Sequence, residues 1–140
     1  MSMKRQQRER IGRFFDSLLR GQFDEFMAGC RDDLTITVRG SNPAPTILVR
    51  SDIPDWYGSL QALSPSTLSS TVEVVRVDGS DATVMLRHEF ARNGIDYRLE
   101  LVNIVSFRDG LLAEWSSYPL NLPEYARAWR LPDLSMSAPA

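Results

Sequence analysis

The sequence predicts an α+β fold, with three N-terminal helices packed on one face of a strongly curved, mostly antiparallel sheet and a short helix after it. Three observations predict it. First, Leu68–Tyr118 holds four strand-forming runs separated by short turns, each with a glycine. Val72–Val77 is followed by Asp78-Gly79, Ala82–Ala91 by Asn93-Gly94 and Ile95–Phe107 by Asp109-Gly110, and Leu111–Tyr118 closes the set. Asn-Gly and Asp-Gly between apolar runs mark hairpins, because both residues reach positive φ at low cost. Second, the third run would span roughly 40 Å if straight; strands that long bend, and a bent sheet has a concave face to fill. Third, helical periodicity is concentrated before the meander, and such segregation stacks helices on one sheet face.

Ile11, Phe14, Phe15, Leu18 and Leu19 recur at helical spacing, and Gly21 can end their helix. Gln22–Cys30 reads as a second short helix with Phe23, Phe26, Met27 and Cys30 on one side. Leu34–Val38 is β-branched and forms a first strand, Asp32 and Asp33 form a turn before it, and Thr46–Val49 is a short extended piece. Asp52 caps a third helix with Pro54 in its first turn and Asp55 in a capping role; Ile53, Trp56, Leu60 and Leu63 are its buried stripe. Ser64–Ser70 is a polar linker. After the meander, Asn121 and Pro123 start a short helix with Tyr125 and Trp129 one turn apart. The expectation is one domain over residues 1–130 with a loose tail over 131–140.

A chain of 140 residues with 43% hydrophobic and 24% charged residues is long enough to bury one core. The net charge of −2 offers no basic excess for phosphates, which argues against nucleic acid as a partner. Cys30 is the single cysteine, so an intrachain disulfide and a cysteine-rich metal site are excluded, and a reducing cytoplasm fits. No apolar run approaches membrane-spanning length, and Lys4–Arg10 leads into an amphipathic helix with no apolar signal core.

The element order resembles the NTF2-like (cystatin-like α+β barrel) superfamily, which includes ketosteroid isomerase, limonene epoxide hydrolase, scytalone dehydratase and the SnoaL-like polyketide cyclases. The local text resembles it too: Gly21-Gln22-Phe23-Asp24 between the first helices, Arg31-Asp32-Asp33-Leu34-Thr35 entering the first strand, and the run from Val105 through Arg108-Asp109-Gly110 and Glu114-Trp115 to Tyr118. The likeness covers roughly Arg8 to Leu120 and implies a cone-shaped fold, with dimerisation through the outer sheet face. It says little about the reaction.

Strand alternation sorts the candidate residues. Val84, Leu86, His88 and Phe90 share one face of the second meander strand; Tyr97, Leu99, Leu101, Asn103, Val105 and Phe107 share one face of the third. His88 and Asn103 are therefore polar residues in apolar rows and need hydrogen bonds from each other, from water or from a ligand. His88, the only histidine, is a candidate proton carrier or a satisfied core residue. It has no second His or Cys nearby, which argues against a metal site. By the resemblance, Asn103 occupies the oxyanion-hole position of ketosteroid isomerases; the alternative is an amide that staples strands. Phe14 stands where the isomerase tyrosine would be, Val38 where its base would be, and Ser117 where the epoxide hydrolases carry an aspartate, so neither proton-transfer set is complete. Arg98 and Glu100 alternate away from His88 and Asn103 and form an exposed ion-pair set. Asp16 faces solvent, Arg39 ends the first strand near the mouth, and Cys30 is inert packing.

Phe14, Trp56, Tyr57, Phe90, Leu101, Trp115 and Ser117 are the candidate ligand contacts, Tyr57 through its hydroxyl if it does not reach solvent instead. So many inward rings suggest an apolar pocket with few polar groups, although the same rings could fill the cone. Together with the resemblance, this implies a SnoaL-like pocket for a small hydrophobic, carbonyl-bearing molecule, with cofactor-independent isomerisation, cyclisation or dehydration as the reaction if the domain is catalytic; the alternative is a non-catalytic binding or accessory domain. No cofactor is expected. Val102 and Ile104, apolar on the outer sheet face, suggest a homodimer.

Overall fold

A computed structural model describes residues 3–39, 46–63 and 67–121, the side chain of Leu63 excepted. Its elements are α1 (Met3–Leu19), α2 (Phe23–Ala28), β1 (Cys30–Val38), β2 (Thr46–Val49), a 3-10 turn (Arg50–Asp52), α3 (Ile53–Leu63), β3 (Ser69–Asp78), β4 (Asp81–Arg92), β5 (Ile95–Arg108) and β6 (Leu111–Pro119). Three helices and a six-stranded sheet make the α+β fold that the segregated periodicities predict. The helix expected after Asn121 and the tail lie outside the described residues.

The sheet runs β2-β1-β6-β5-β4-β3. β3 to β6 pair antiparallel in sequence order, and β1 joins them by pairing parallel to β6 and antiparallel to β2. The hairpin chemistry is legible in the backbone. Asn93 and Gly94 both take positive φ, 53° and 77°, as a two-residue loop joining right-twisted strands requires. Asp109 and Gly110 do the same. The first turn lies one residue later than the sequence suggests: Asp78 pairs with Asp81, so the loop is Gly79-Ser80, with the glycine alone at positive φ.

Three element boundaries also move. Cys30 opens β1 instead of ending α2, and Arg31, Asp32 and Asp33 belong to this strand, not to a turn. A register shift between Cys30 and Thr35 accommodates them, while Arg31 holds Asp33 at 2.9 Å and approaches Asp109 at 3.6 Å. β3 begins at Ser69, so Ser69 and Ser70 are strand residues. Asp52 reaches back to accept the Val49 N–H at 2.9 Å, closing the 3-10 turn that leads into α3. On α3 the buried face is Ile53, Tyr57 and Leu60, with Trp56 half-buried beside them. Tyr57 therefore faces the core and not solvent.

The core lies between the helices and one face of the sheet. Ile11, Phe15 and Leu18 of α1 and Phe26 of α2 meet Leu34 and Ile36 of β1, Val84 and Leu86 of β4, and Leu112 and Trp115 of β6. Gly29 is a point of close approach: a Cβ there would stand 2.5 Å from the Phe14 ring. Cys30 donates weakly to the Phe26 carbonyl at 3.4 Å, and burial pushes its thiol up to about 12, so it stays protonated.

The opposite face carries Val74, Met85, Val102 and Tyr118 in one cross-strand row, with Ile104 beside it, 48% exposed. Arg98 and Glu100, 3.4 Å apart, lie on this face as well, as do Arg87 with Glu73 and Glu89. Among the described residues no helix is long and apolar enough to cross a membrane.

Candidate functional site

β4 alternates buried and part-exposed along its length, so Val84, Leu86, His88 and Phe90 all face the helices. β5 does the same with Tyr97, Leu99, Leu101, Asn103 and Val105. His88 sits opposite Leu99, Phe90 opposite Tyr97, Leu86 opposite Leu101 and Val84 opposite Asn103. The sequence places His88 and Asn103 on one face, and the register agrees. It also separates them: Asn103 pairs four residues away from His88, about 13 Å along the strand.

The two groups are satisfied very differently. Both Asn103 amide hydrogens go to backbone carbonyls, Val84 at 3.1 Å and Leu101 at 3.4 Å, and its oxygen accepts the Trp115 indole N–H at 2.8 Å. The carboxamide thus staples β4 to β5 and fixes the Trp115 ring. Ser117, also buried, lies directly across from it.

His88 is wholly buried, and its Nδ1 is 2.8 Å from the Ser70 hydroxyl, on the residue facing it across β3. Its Nε2 is buried with no hydrogen-bond partner. Burial alone pulls the imidazole down to about 4, so it is neutral at pH 7. A neutral imidazole carries one N–H and one lone pair. If the Ser70 hydroxyl donates to Nδ1, the hydrogen is on Nε2, the nitrogen that has no partner.

Ser70 is the hydrogen-bonding neighbour of His88 that a linker reading of Ser64–Ser70 hides. The signal was present: carrying the alternation of Val72 back by two residues puts Ser70 on the His88 side.

Rings cluster around the histidine. The Tyr57 ring lies 6.1 Å from the imidazole, edge to face, and 4.8 Å from Trp56; Trp56 lies 5.0 Å from Trp115. Phe90 stacks on Tyr97 at 5.0 Å. Trp115 continues into the core through Phe15 and Phe26. Of the sequence-named contacts, Tyr57 meets His88, Phe90 is the next inward residue of β4 and Leu101 shares the face; Trp56 and Trp115 connect to the histidine only through Tyr57, and Trp115 lies at the Asn103 end. Phe14 is not among them. It stacks on Phe26 at 4.2 Å and, with Ile11, Phe107 and the Gly79 and Gly110 turns, lines a cleft of about 340 Å³ at the other end of the sheet. Among the described residues no group of three or more His, Cys, Asp or Glu could hold a metal ion.

Residues 11–115 match the SnoaL-like domain family. Among solved structures, the chain is similar to Bal32a from a soil-derived mobile gene cassette (TM-score 0.77, 14% identity, 92% of this chain and 100% of that one). It is also similar to a candidate SnoaL-like polyketide cyclase from Jannaschia sp. (TM-score 0.71, 17% identity, 91% and 94%). A third similar structure is a candidate ketosteroid isomerase from Kribbella flavida (TM-score 0.66, 20% identity, 84% and 80%). At these identities the likeness speaks for the fold alone. No curated protein matches the chain.

Proposed function

Because the chain belongs to the SnoaL-like domain family of the NTF2-like superfamily, we propose that it holds a small hydrophobic, carbonyl-bearing molecule between α3 and a concave inner sheet face and transforms it by cofactor-independent isomerisation, cyclisation or dehydration. The observation that carries this reading is the buried Nε2 of His88, which has no partner on a mostly apolar and aromatic inner face. Leaving a polar atom so placed costs about 1–3 kcal/mol, and a ligand oxygen would recover it. Trp56, Tyr57, Phe90, Leu101 and Trp115 supply the apolar surroundings, and Ser117 a hydroxyl next to Asn103.

A neutral imidazole suits the role of donor to a carbonyl oxygen on which negative charge develops. It is a poor proton carrier at neutral pH, since its acid form is scarcely populated. Asn103 then acts through Trp115, as a positioning residue. A second reading, binding without turnover, is favoured by the saturated Asn103 amide, which leaves the oxyanion a single donor.

A thermal-shift screen of steroids, terpenoids and aromatic polyketides against wild type and His88→Ala tests both readings. Compounds that raise the wild-type midpoint and lose that effect in the variant support the pocket, and mass spectrometry of the hits separates turnover from binding. Ligands equally effective on both proteins would remove His88 from the site.

We further propose that two copies pair through the outer sheet face. Its apolar row is flanked by charges of both signs, Arg87, Glu73, Arg98 and Glu100, which a surface meeting its own copy can match. Ile104→Lys is expected to convert a dimer to a monomer in light scattering; an unchanged mass would place the interface elsewhere.

A further inference from the structure

The inner row of β4 does not stop at Phe90. The next inward position is Arg92, the last residue of the strand, opposite Ile95 at the Asn93-Gly94 turn. A charged residue here breaks the apolar row as His88 does, two inward positions earlier. Its guanidinium Nη1 is buried and has no hydrogen-bond partner, and among the described residues Arg92 forms no ion pair. β4 therefore presents two unsatisfied polar groups on one face, separated by Phe90 and its stack on Tyr97. The His88 and Arg92 positions are about 13 Å apart along the strand.

Arg92 as a whole is half-buried; a guanidinium nitrogen held away from water without a partner is costly, and the group that recovers most is a carboxylate, which accepts two parallel N–H bonds. Resting on the pocket reading above, we propose that Arg92 anchors an anionic head group, so that the ligand is an apolar acid whose carboxylate meets Arg92 and whose carbonyl oxygen meets His88. The intervening chain, roughly 10 Å long given the strand rise, would lie along the Phe90–Tyr97 stack.

The probes are ω-oxo-ω-phenylnonanoic acid and its methyl ester, titrated by calorimetry into wild type, Arg92→Met, Arg92→Lys and His88→Ala. Wild type is expected to favour the acid over the ester by roughly tenfold or more, the scale of one charge-assisted hydrogen bond. Arg92→Met should abolish that preference and leave the ester's affinity unchanged, and Arg92→Lys should restore part of it. Unliganded Arg92→Met should unfold at the wild-type midpoint or above, because nothing that Arg92 binds in the protein is lost. Equal affinity for acid and ester, both reduced in His88→Ala, would overturn the anionic anchor and leave the pocket standing. If neither compound binds, the anchor and the pocket reading both fall.

Discussion

Trp115→Ala is expected to destabilise the fold by about 4 kcal/mol or more, the largest effect of any single substitution considered. Trp115 is almost wholly buried and touches Phe15, Phe26, Trp56 and Tyr57. Removing a ring of that size from a packed core costs about 3–5 kcal/mol. The indole N–H also satisfies the Asn103 oxygen at 2.8 Å, so truncation leaves a buried acceptor bare, a further penalty of about 1–3 kcal/mol. Trp115→Phe keeps most of the packing and loses the hydrogen bond, so it should cost about 2 kcal/mol. Combining it with Asn103→Leu should cost less than the sum of the two single changes, because the orphaned oxygen is gone. Urea denaturation of the set measures this. Strict additivity would mean that the amide and the indole do not act as a pair, whatever their distance.

The second large effect is on pH. The imidazole of His88 titrates at about 4 in the folded protein, against 6.5 when exposed, and burial is the cause. The unfolded chain therefore takes up the proton first. Above pH 6.5 neither state is protonated and His88 contributes no slope. As pH falls through 6.5 towards 4 the unfolded state gains protons that the native state refuses, and stability declines. Below 4 both states are charged and the loss levels off. By this linkage, lowering the pH from 8 to 5 should cost about 2 kcal/mol, and the full loss approaches about 3 kcal/mol. His88→Gln should flatten unfolding free energy between pH 8 and 5 while leaving the outer carboxylates to act below that range. A wild-type curve already flat over this interval would mean that water reaches the imidazole.

Much of this was written in local chemistry. Asn93-Gly94 and Asp109-Gly110 fix two hairpins, the period-two rows of β4 and β5 separate inside from outside, and the stripe of Ile11, Phe15 and Leu18 orients α1. What stayed hidden depends on pairing between distant strands. The alternation could place His88 and Asn103 on the same side, but only register shows them about 13 Å apart. Nothing local says that Asn103 hands its oxygen to Trp115, since that bond joins β5 to β6 diagonally. Phe14 sits on the same helical stripe as Phe15, yet one turns toward Trp115 while the other lines the far cleft. Ser70 was lost to a composition rule, because serines before a strand read as linker until a partner strand claims them.

The parallel pairing of β1 with β6 has a consequence for how the chain matures. On the ribosome, β1 and β2 emerge long before β6, and β1 has only its β2 neighbour until residues near 112–117 have been made. The helical hairpin and the first two strands must wait with their greasy sides uncovered, while the four-stranded meander can zip locally, one turn after another. Closure of the long loop comes last, and such non-local steps are slow. The newborn protein is therefore most exposed to chaperones and proteases just before its sixth strand is delivered.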